Sequence, residues 1–399
     1  MKIVVAQDAL HSEGGVETYL ASVVPALRAR GHSIALLFVS RGATPPFDGV
    51  DGPRLAVDPA HVEEAFTRLR AWEPDVCFSN NMAQLDIEQQ LLSEWPVVKF
   101  MHGYSGTCIS ALKTHAFPAR VACARTLGPA CLALYGPRHC GALTASALIG
   151  GYRWAREQQR VLGRYATVVV ASDHMAGEYA RHGVPRDRIA TLPLFTAPPG
   201  QSPAVGGDAD RVLFLGRMTH LKGGDLLVRA VAAAARRLDR SIALDMAGDG
   251  PQRLTWERLA SNERVDAKFP GWLDPTERQA ALSRATVLAV PSVWPEPFGL
   301  VGLEAAAMGV PAVAFDTGGI RQWLRHGVSG LLVPPSSGPA GLGDALVEIL
   351  RHPDRRAQLS AGALAAAREM SVEAHLAALE QVLHRAARAS ARVKVAASR

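Results

Sequence analysis

The sequence predicts an α/β protein made of two Rossmann-like halves, each a parallel sheet flanked by helices. Three observations carry this expectation. Apolar runs of strand length alternate with amphipathic helical stretches along almost the whole chain. The 399 residues suffice for two domains of ordinary size. Residues 196–209, TAPPGQSPAVGGDA, form a Pro-, Gly- and Ser-rich linker near the middle. The expected division is an N-terminal domain over 1–195, the linker, a C-terminal domain over 210–371, and a last helix over 372–388.

In the first half, residues 3–6 are a short apolar strand of the kind buried in parallel sheets. A helix over 17–30 keeps Leu20, Val23, Val24 and Leu27 on one face, Gly31 ends it, and 34–39 is the next strand. Gly14 and Gly15 at the first strand–helix junction let the backbone approach a ligand beside helix amides. A Pro/Gly-rich loop over 41–59 includes a short strand. Helix 61–72, strand 75–79, helix 86–93 and strand 97–101 follow. The last strand ends at His102, where parallel sheets place ligand-binding side chains. Residues 103–163 are less regular and hold Cys108, Cys123, Cys131 and Cys140. Four soft ligands could hold a structural zinc or a cluster. Their spacing has no C-x2-C knuckle, which favours simple buried thiols. Helix 152–165, strand 168–171, helix 173–182 and strand 188–192 complete this half.

The second half opens with strand 211–215 and the loop GRMTHLKGG, then helix 225–237. Arg217 offers a planar fork to a diphosphate, and Lys222 adds a point charge five residues on. Strand 242–247 ends at Gly248, helix 252–261 follows, and Trp272 stands within the segment Phe269-Pro270-Gly271-Trp272-Leu273. Helix 277–284 precedes the most informative stretch, VPSVWPEPFGLVGLEAAAMG over 290–309. There a strand end, a Pro-rich turn and an Ala-rich helix carry Glu296 and Glu304 with seven residues between them. The amides of Phe298, Gly299 and Leu300 are oriented donors for an anion, and Gly299 has no side chain in the way. Strands over 310–315 and 327–333 and helices over 340–351, 354–370 and 372–388 close the chain.

The balance of 43 Lys+Arg against 37 Asp+Glu, +6, is mild. It suits an anionic ligand and argues against nucleic acid. The first apolar run is only strand-long, which predicts neither a signal peptide nor a membrane span, and five cysteines do not make a secreted disulfide scaffold. A cytoplasmic protein is expected. The basic tail of Arg385, Arg388, Arg392, Lys394 and Arg399 allows weak peripheral contact with an anionic inner membrane face.

The 290–309 stretch resembles the E-x7-E element of the family 4 retaining glycosyltransferases. The glycine pair before Glu17, Gly216–Gly223 and Gly248–Pro251 resemble further segments of that family in the same order. The resemblance covers most of the chain and is strongest over 212–333. It implies the GT-B fold, two Rossmann-like domains facing a central cleft, with the last helix crossing back to the N-terminal domain. It further implies transfer of a hexose-type sugar from a UDP-, GDP- or ADP-type donor to a saccharide, lipid-linked or small-molecule acceptor. Arg217 and Lys222 would then neutralise the leaving diphosphate, Glu296 hold sugar hydroxyls and Glu304 the ribose. His102 would lie beside the sugar, and Gly15, Gly216, Gly248, Trp272, Phe298, Gly299 and Leu300 would contact the donor. No cofactor and no catalytic metal is implied.

This chain departs from the family at Leu192–Phe195, where a P-N-G segment is usual, and at Arg321-Gln322, where Pro-Glu is usual. Asp208-Ala209-Asp210 has the D-x-D form of metal-using transferases but sits in the linker. The rivals are a sugar phosphorylase or a sucrose- or trehalose-type synthase of the same fold, and a non-catalytic sugar-nucleotide binder. A nicotinamide-linked dehydrogenase is disfavoured because no G-x-G-x-x-G follows the first strand.

Overall fold

The computed structural model describes residues 1–8, 15–39, 50–57, 62–196 and 210–397, without the side chains of 390–397. The linker from 197 on, the D-x-D aspartate at 208, the loop from His11 to Gly14 and the tail cations beyond 389 lie outside the described side chains.

The N-terminal half contains β1 (Lys2–Gln7), α1 (Gly15–Ala29), β2 (Ser33–Val39), β3 (Arg54–Val57), α2 (Val62–Trp72), β4 (Val76–Ser79), α3 (Leu85–Glu94) and β5 (Val97–Met101). A small hairpin follows, β6 (Thr114–His115) with β7 (Val121–Ala122), then α4 (Ala130–Tyr135) and α5 (Ala145–Val161). β8 (Thr167–Val170), α6 (Asp173–Arg181) and β9 (Ile189–Thr191) finish it. Seven of these strands form one parallel sheet in the order β3-β2-β1-β4-β5-β8-β9.

The C-terminal half runs β10 (Arg211–Leu215), α7 (Gly224–Leu238), β11 (Ala243–Ala247), α8 (Arg253–Asn262), β12 (Asp266–Gly271), α9 (Pro275–Arg284), β13 (Val287–Val290), α10 (Leu300–Ala307), β14 (Ala312–Phe315) and β15 (Gly330–Val333). Helices α11 (Gly338–Arg351), α12 (Pro353–Glu369) and α13 (Val372–Ala397) follow. Its six strands are also all parallel, in the order β12-β11-β10-β13-β14-β15. Central strands such as β4, β5, β13 and β14 are buried throughout, as parallel strands covered on both faces must be. Strand order reverses between β1 and β4 in one sheet and between β10 and β13 in the other. The C-terminal ends of β1, β4, β10 and β13 therefore border crevices.

Helix α13 crosses back to the N-terminal half, packing on β4, β5 and α1. Leu376, Leu379, Val382 and Leu383 enter the core shared with Ile3, Leu20 and Phe78. His375 meets Tyr19 Oη at 2.9 Å, and Glu380 binds Arg30 and His32, each at 2.8 Å.

The segment after β5 differs most from expectation. Helix α5 begins at Ala145, not 152, capped by the Thr144 side chain on Ala147 N. The expected start at 152 falls just after Gly150 and Gly151. In the fold Gly151 instead lets the helix pass close to Ile109 O, only 3.0 Å from where a Cβ would lie. No described helix is long and apolar enough to cross a membrane.

Candidate functional site

A cleft of about 500 Å³ lies between the two halves, lined by Gly15, Tyr19, His102, Gly216, Lys222, Trp294, Glu296, Phe298, Gly299, Leu300 and Glu304 among others. The turn between β13 and α10 forms its floor and is bolted to the N-terminal half. Tyr104 Oη donates to Pro295 O at 2.7 Å, and Ser172 Oγ to Pro297 O at 2.6 Å. Behind it, Gly319 N donates to Glu296 O at 2.6 Å. At Gly318, φ is +61° and a Cβ would overlap the Glu296 backbone, so glycine is required there. Gln322, where the family usually has glutamate, accepts from Asp173 N at 3.0 Å and ties the halves together again.

Lys222 and Glu296, 74 residues apart, meet at this floor. Nζ donates to Oε1 at 2.6 Å, and the lysine also lies 5.1 Å from the Trp294 ring centre. Glu296 is 5% exposed, whereas the Lys222 side chain is 26% exposed. The cleft thus presents a cation and a carboxylate that satisfy each other. A bound anion and a bound hydroxyl could each take one of them over.

Glu304, inside α10, also reaches the cleft. Its Oε1 sits 3.4 Å from Arg278, while its Oε2 is buried with no hydrogen-bond partner among the described residues. Burial raises its carboxyl above the usual range, and Arg278 opposes that weakly. A buried acceptor without a donor is costly unless a ligand supplies one. Trp294 Nε1 is the complementary case, a buried donor without an acceptor among the described residues. Gly299 takes φ +88° as N-cap of α10, which leaves the first amides of the helix turned toward the cleft.

On the opposite wall, His102 stacks on Phe100 at 4.4 Å and contacts Asn80 Oδ1 at 3.0 Å through Nε2. Asn80 Nδ2 points to Phe78 O, so its Oδ1 faces the ring; Nε2 therefore carries the hydrogen and Nδ1 is left as an acceptor. Burial first, then Lys99 and His375, hold His102 down to about 3, which keeps the ring neutral. Leu194 and Phe195, in place of the family's P-N-G segment, line the same wall. Phe195 packs on Tyr19 and His375.

Not every expected residue converges. Arg217 follows the cleft-lining Gly216 but is itself exposed and does not line the cleft. Trp272 is 64% exposed and also stands outside it. Gly248 lies behind the first wall: at φ +125° it abuts Gly216 O, so it lets the β10 and β11 ends close up. Trp294, Asn80 and Tyr19 were missed by sequence reasoning. Trp294 had one signal, an aromatic inside the Pro-rich turn before Glu296.

The structural-zinc alternative does not find its ligand set. Cys108, Cys123, Cys131 and Cys140 are all free, and no three described His, Cys, Asp or Glu residues are grouped to hold a metal. The thiols share one module but turn to local partners: Cys108 to Ser110 Oγ, Cys131 to Thr126 O and Cys140 to Leu134 O. Burial, then the neighbouring thiols, push Cys140 up to about 11, so it stays a thiol.

Comparison with known proteins agrees with this geometry. Residues 14–194 match the model of a glycosyl transferase 4-like domain, and 209–352 that of glycosyl transferases group 1. A D-inositol 3-phosphate glycosyltransferase of Frankia alni is 38% identical over 181 residues, 42% of this chain and 44% of that protein. A glycogen synthase of Mycobacterium tuberculosis is 38% identical over 147 residues, 36% of this chain and 34% of that one. These matches span less than half the length of either relative. A glycosyltransferase structure from Rickettsia africae superposes with TM-score 0.71 at 16% identity, over 96% of this chain and 98% of that one. Anabaena HepE, solved in complex with UDP and glucose, gives TM-score 0.68 at 17% identity, over 96% and 99%. The two family models together take in most of the chain, in the order that the two facing parallel sheets require. The chain therefore belongs to the family 4 glycosyltransferases and has their GT-B fold.

Proposed function

We propose that this protein transfers a hexose-type sugar from a nucleoside diphosphate sugar to an acceptor hydroxyl, with retention of anomeric configuration. The observation that carries the reading is the Lys222–Glu296 pair at 2.6 Å on the cleft floor, beside the unpartnered Glu304 Oε2. A donor would replace that pair with its own complementary groups. Its diphosphate would take Lys222 and the first α10 amides, its sugar hydroxyls would take Glu296, and its ribose hydroxyls would donate to Glu304.

As the glycosidic bond breaks, negative charge grows on the diphosphate. Lys222 and the amides then bind it more strongly than in the ground state, which is where rate acceleration comes from. Arg217, exposed on the same loop, would join them once a diphosphate is present to hold it. His102 would offer Nδ1 to a sugar hydroxyl on the N-terminal side. The leaving phosphate oxygen would accept the acceptor's proton, so no protein base and no metal is invoked. The N-terminal half would hold the acceptor and the C-terminal half the donor nucleotide.

A thermal-shift panel of UDP, GDP, ADP and their sugars tests this, since ligands that bind the native state raise apparent stability. Stabilisation by one nucleoside diphosphate, followed by turnover with retained configuration by proton NMR, supports the reading. Release of sugar with inorganic phosphate and no nucleotide would instead favour a phosphorylase. Binding without any turnover would leave a sugar-nucleotide binder.

A further inference from the structure

The net charge of the chain is concentrated in one segment. Residues 103–164 contain eight Lys and Arg and one acid, Glu157, a net +7; the chain total is +6, so everything else sums to −1. The same segment also carries most of the exposed apolar side chains among the described residues. Of nine large hydrophobic side chains that stand exposed among the described residues, six lie within it: Leu112, Phe117, Val121, Leu132, Leu143 and Ile149. Scattered singly such residues mean little, but grouped with unpaired cations they mark a surface for a partner.

Two of the cations are spent internally. Lys113 pairs with Glu178 and Arg120 with Asp225, each at 2.5 Å. Arg125, Arg138, Arg153, Arg160 and Arg164 have no carboxylate partner among the described residues. Helix α5 orders part of this set. Ala155, Gln158 and Val161 are its buried face. Ile149, Arg153, Arg156 and Arg160 fall on the opposite face at spacings of four, three and four. Leu143 enters that helix one residue before its cap, and α4, carrying the exposed Leu132, packs against it. Phe117 on the hairpin lies 6.0 Å from His139, and its backbone N–H donates to Arg138 O.

We propose that this face of the N-terminal half docks on an anionic phospholipid bilayer. The arginines would meet the headgroup charge, and Leu143 and Ile149 would enter the boundary of the acyl region. A bilayer is the occupant these features fit, because it is the partner that offers diffuse negative charge and an apolar layer together. Arginine also suits it, since its stem packs on apolar surface while its head stays at the interface. The inference stands apart from the sugar-transfer reading, because vesicle binding is measured without turnover.

The experiment is co-sedimentation of the full chain with vesicles of phosphatidylcholine alone and of phosphatidylcholine with 30% phosphatidylglycerol. Binding should require the anionic lipid and weaken as salt rises from about 50 to 500 mM. Arg153→Ala and Arg160→Ala should each lower partition roughly fivefold. Leu143→Ser with Ile149→Ser should weaken it without changing the salt slope. Arg258→Glu with Arg284→Glu, on exposed arginines of the C-terminal half, should leave it unchanged; melting temperature checks that all variants fold. Equal binding to neutral vesicles, no loss in the α5 variants, or equal loss in the control pair would each overturn the proposal. So would a dimer in vesicle-free sedimentation velocity that the same α5 variants abolish, or tighter salt-sensitive binding to nucleic acid than to vesicles.

Discussion

Lys222→Met should cost the empty protein more stability than Glu296→Gln, although both break the same ion pair. The asymmetry comes from burial. Glu296 is 5% exposed and its turn is clamped by Gly318, Gly319, Tyr104 and Ser172. Without Lys222 its charge stays in the floor with no counter-charge. Lys222 is 26% exposed, so in Glu296→Gln its ammonium can turn to water. Breaking a fully buried pair costs about 3–5 kcal/mol, and this one is partly open on the lysine side. We therefore expect about 2–3 kcal/mol for Lys222→Met and about 1 kcal/mol for Glu296→Gln. Unfolding entropy scaled to 399 residues is roughly 0.8 kcal/mol/K. The melting temperature should then fall by about 3 °C and about 1 °C. Calorimetry of the unliganded variants reads this, and titration with UDP, GDP and ADP completes it. Glu296→Gln, with its ammonium released, should bind the cognate diphosphate at least as tightly as the unsubstituted protein while transfer falls. Lys222→Met should lose both. A larger loss of stability in Glu296→Gln, or loss of diphosphate binding there, would refute the exchange of partners.

Glu304→Gln should raise the melting temperature near neutral pH yet weaken donor binding. Burial raises the Glu304 carboxyl, so its charged form is a penalty that disappears as pH falls through its folded pKa. The gain in the variant should shrink accordingly, and a pH-independent gain would contradict this. His375 is held neutral at about 4 by burial, against roughly 6.5 unfolded. Its contribution is complete above about pH 6.5 and is lost as pH falls toward 4; His375→Gln should make that acid decline shallower by on the order of 3 kcal/mol. His102 keeps part of the decline in place. Gly302→Ala should destabilise by about 2–3 kcal/mol, because its Cβ would overlap the Trp323 indole, whose Nε1 is fixed on Phe298 O at 2.7 Å. Near-normal chemical stability of that variant would show that the indole can shift.

Sequence alone determined the alternation of strands and helices, and so the two parallel sheets. Apolar period and turn residues act within a few positions of each other, and β5 and β10 end where the pattern places them. The Glu296–Glu304 helix and the Lys222 loop were legible for the same reason, since each is a local strand–turn–helix. Three things were decided only by tertiary structure. The Lys222–Glu296 contact spans 74 residues, and which cation the cleft admits depends on how the loop leaves β10; Arg217, a turn earlier, faces out. The four cysteines are close in sequence, but the sulfurs of Cys108, Cys131 and Cys140 turn to a local hydroxyl and local carbonyls, and spacing does not encode that. Helix α5 begins seven residues before the expected start at 152, and so runs through Gly150 and Gly151. Gly151 packs closely on Ile109 within a helix where a glycine costs roughly 1 kcal/mol, and the earlier start brings Ile149 onto the face that the arginines share.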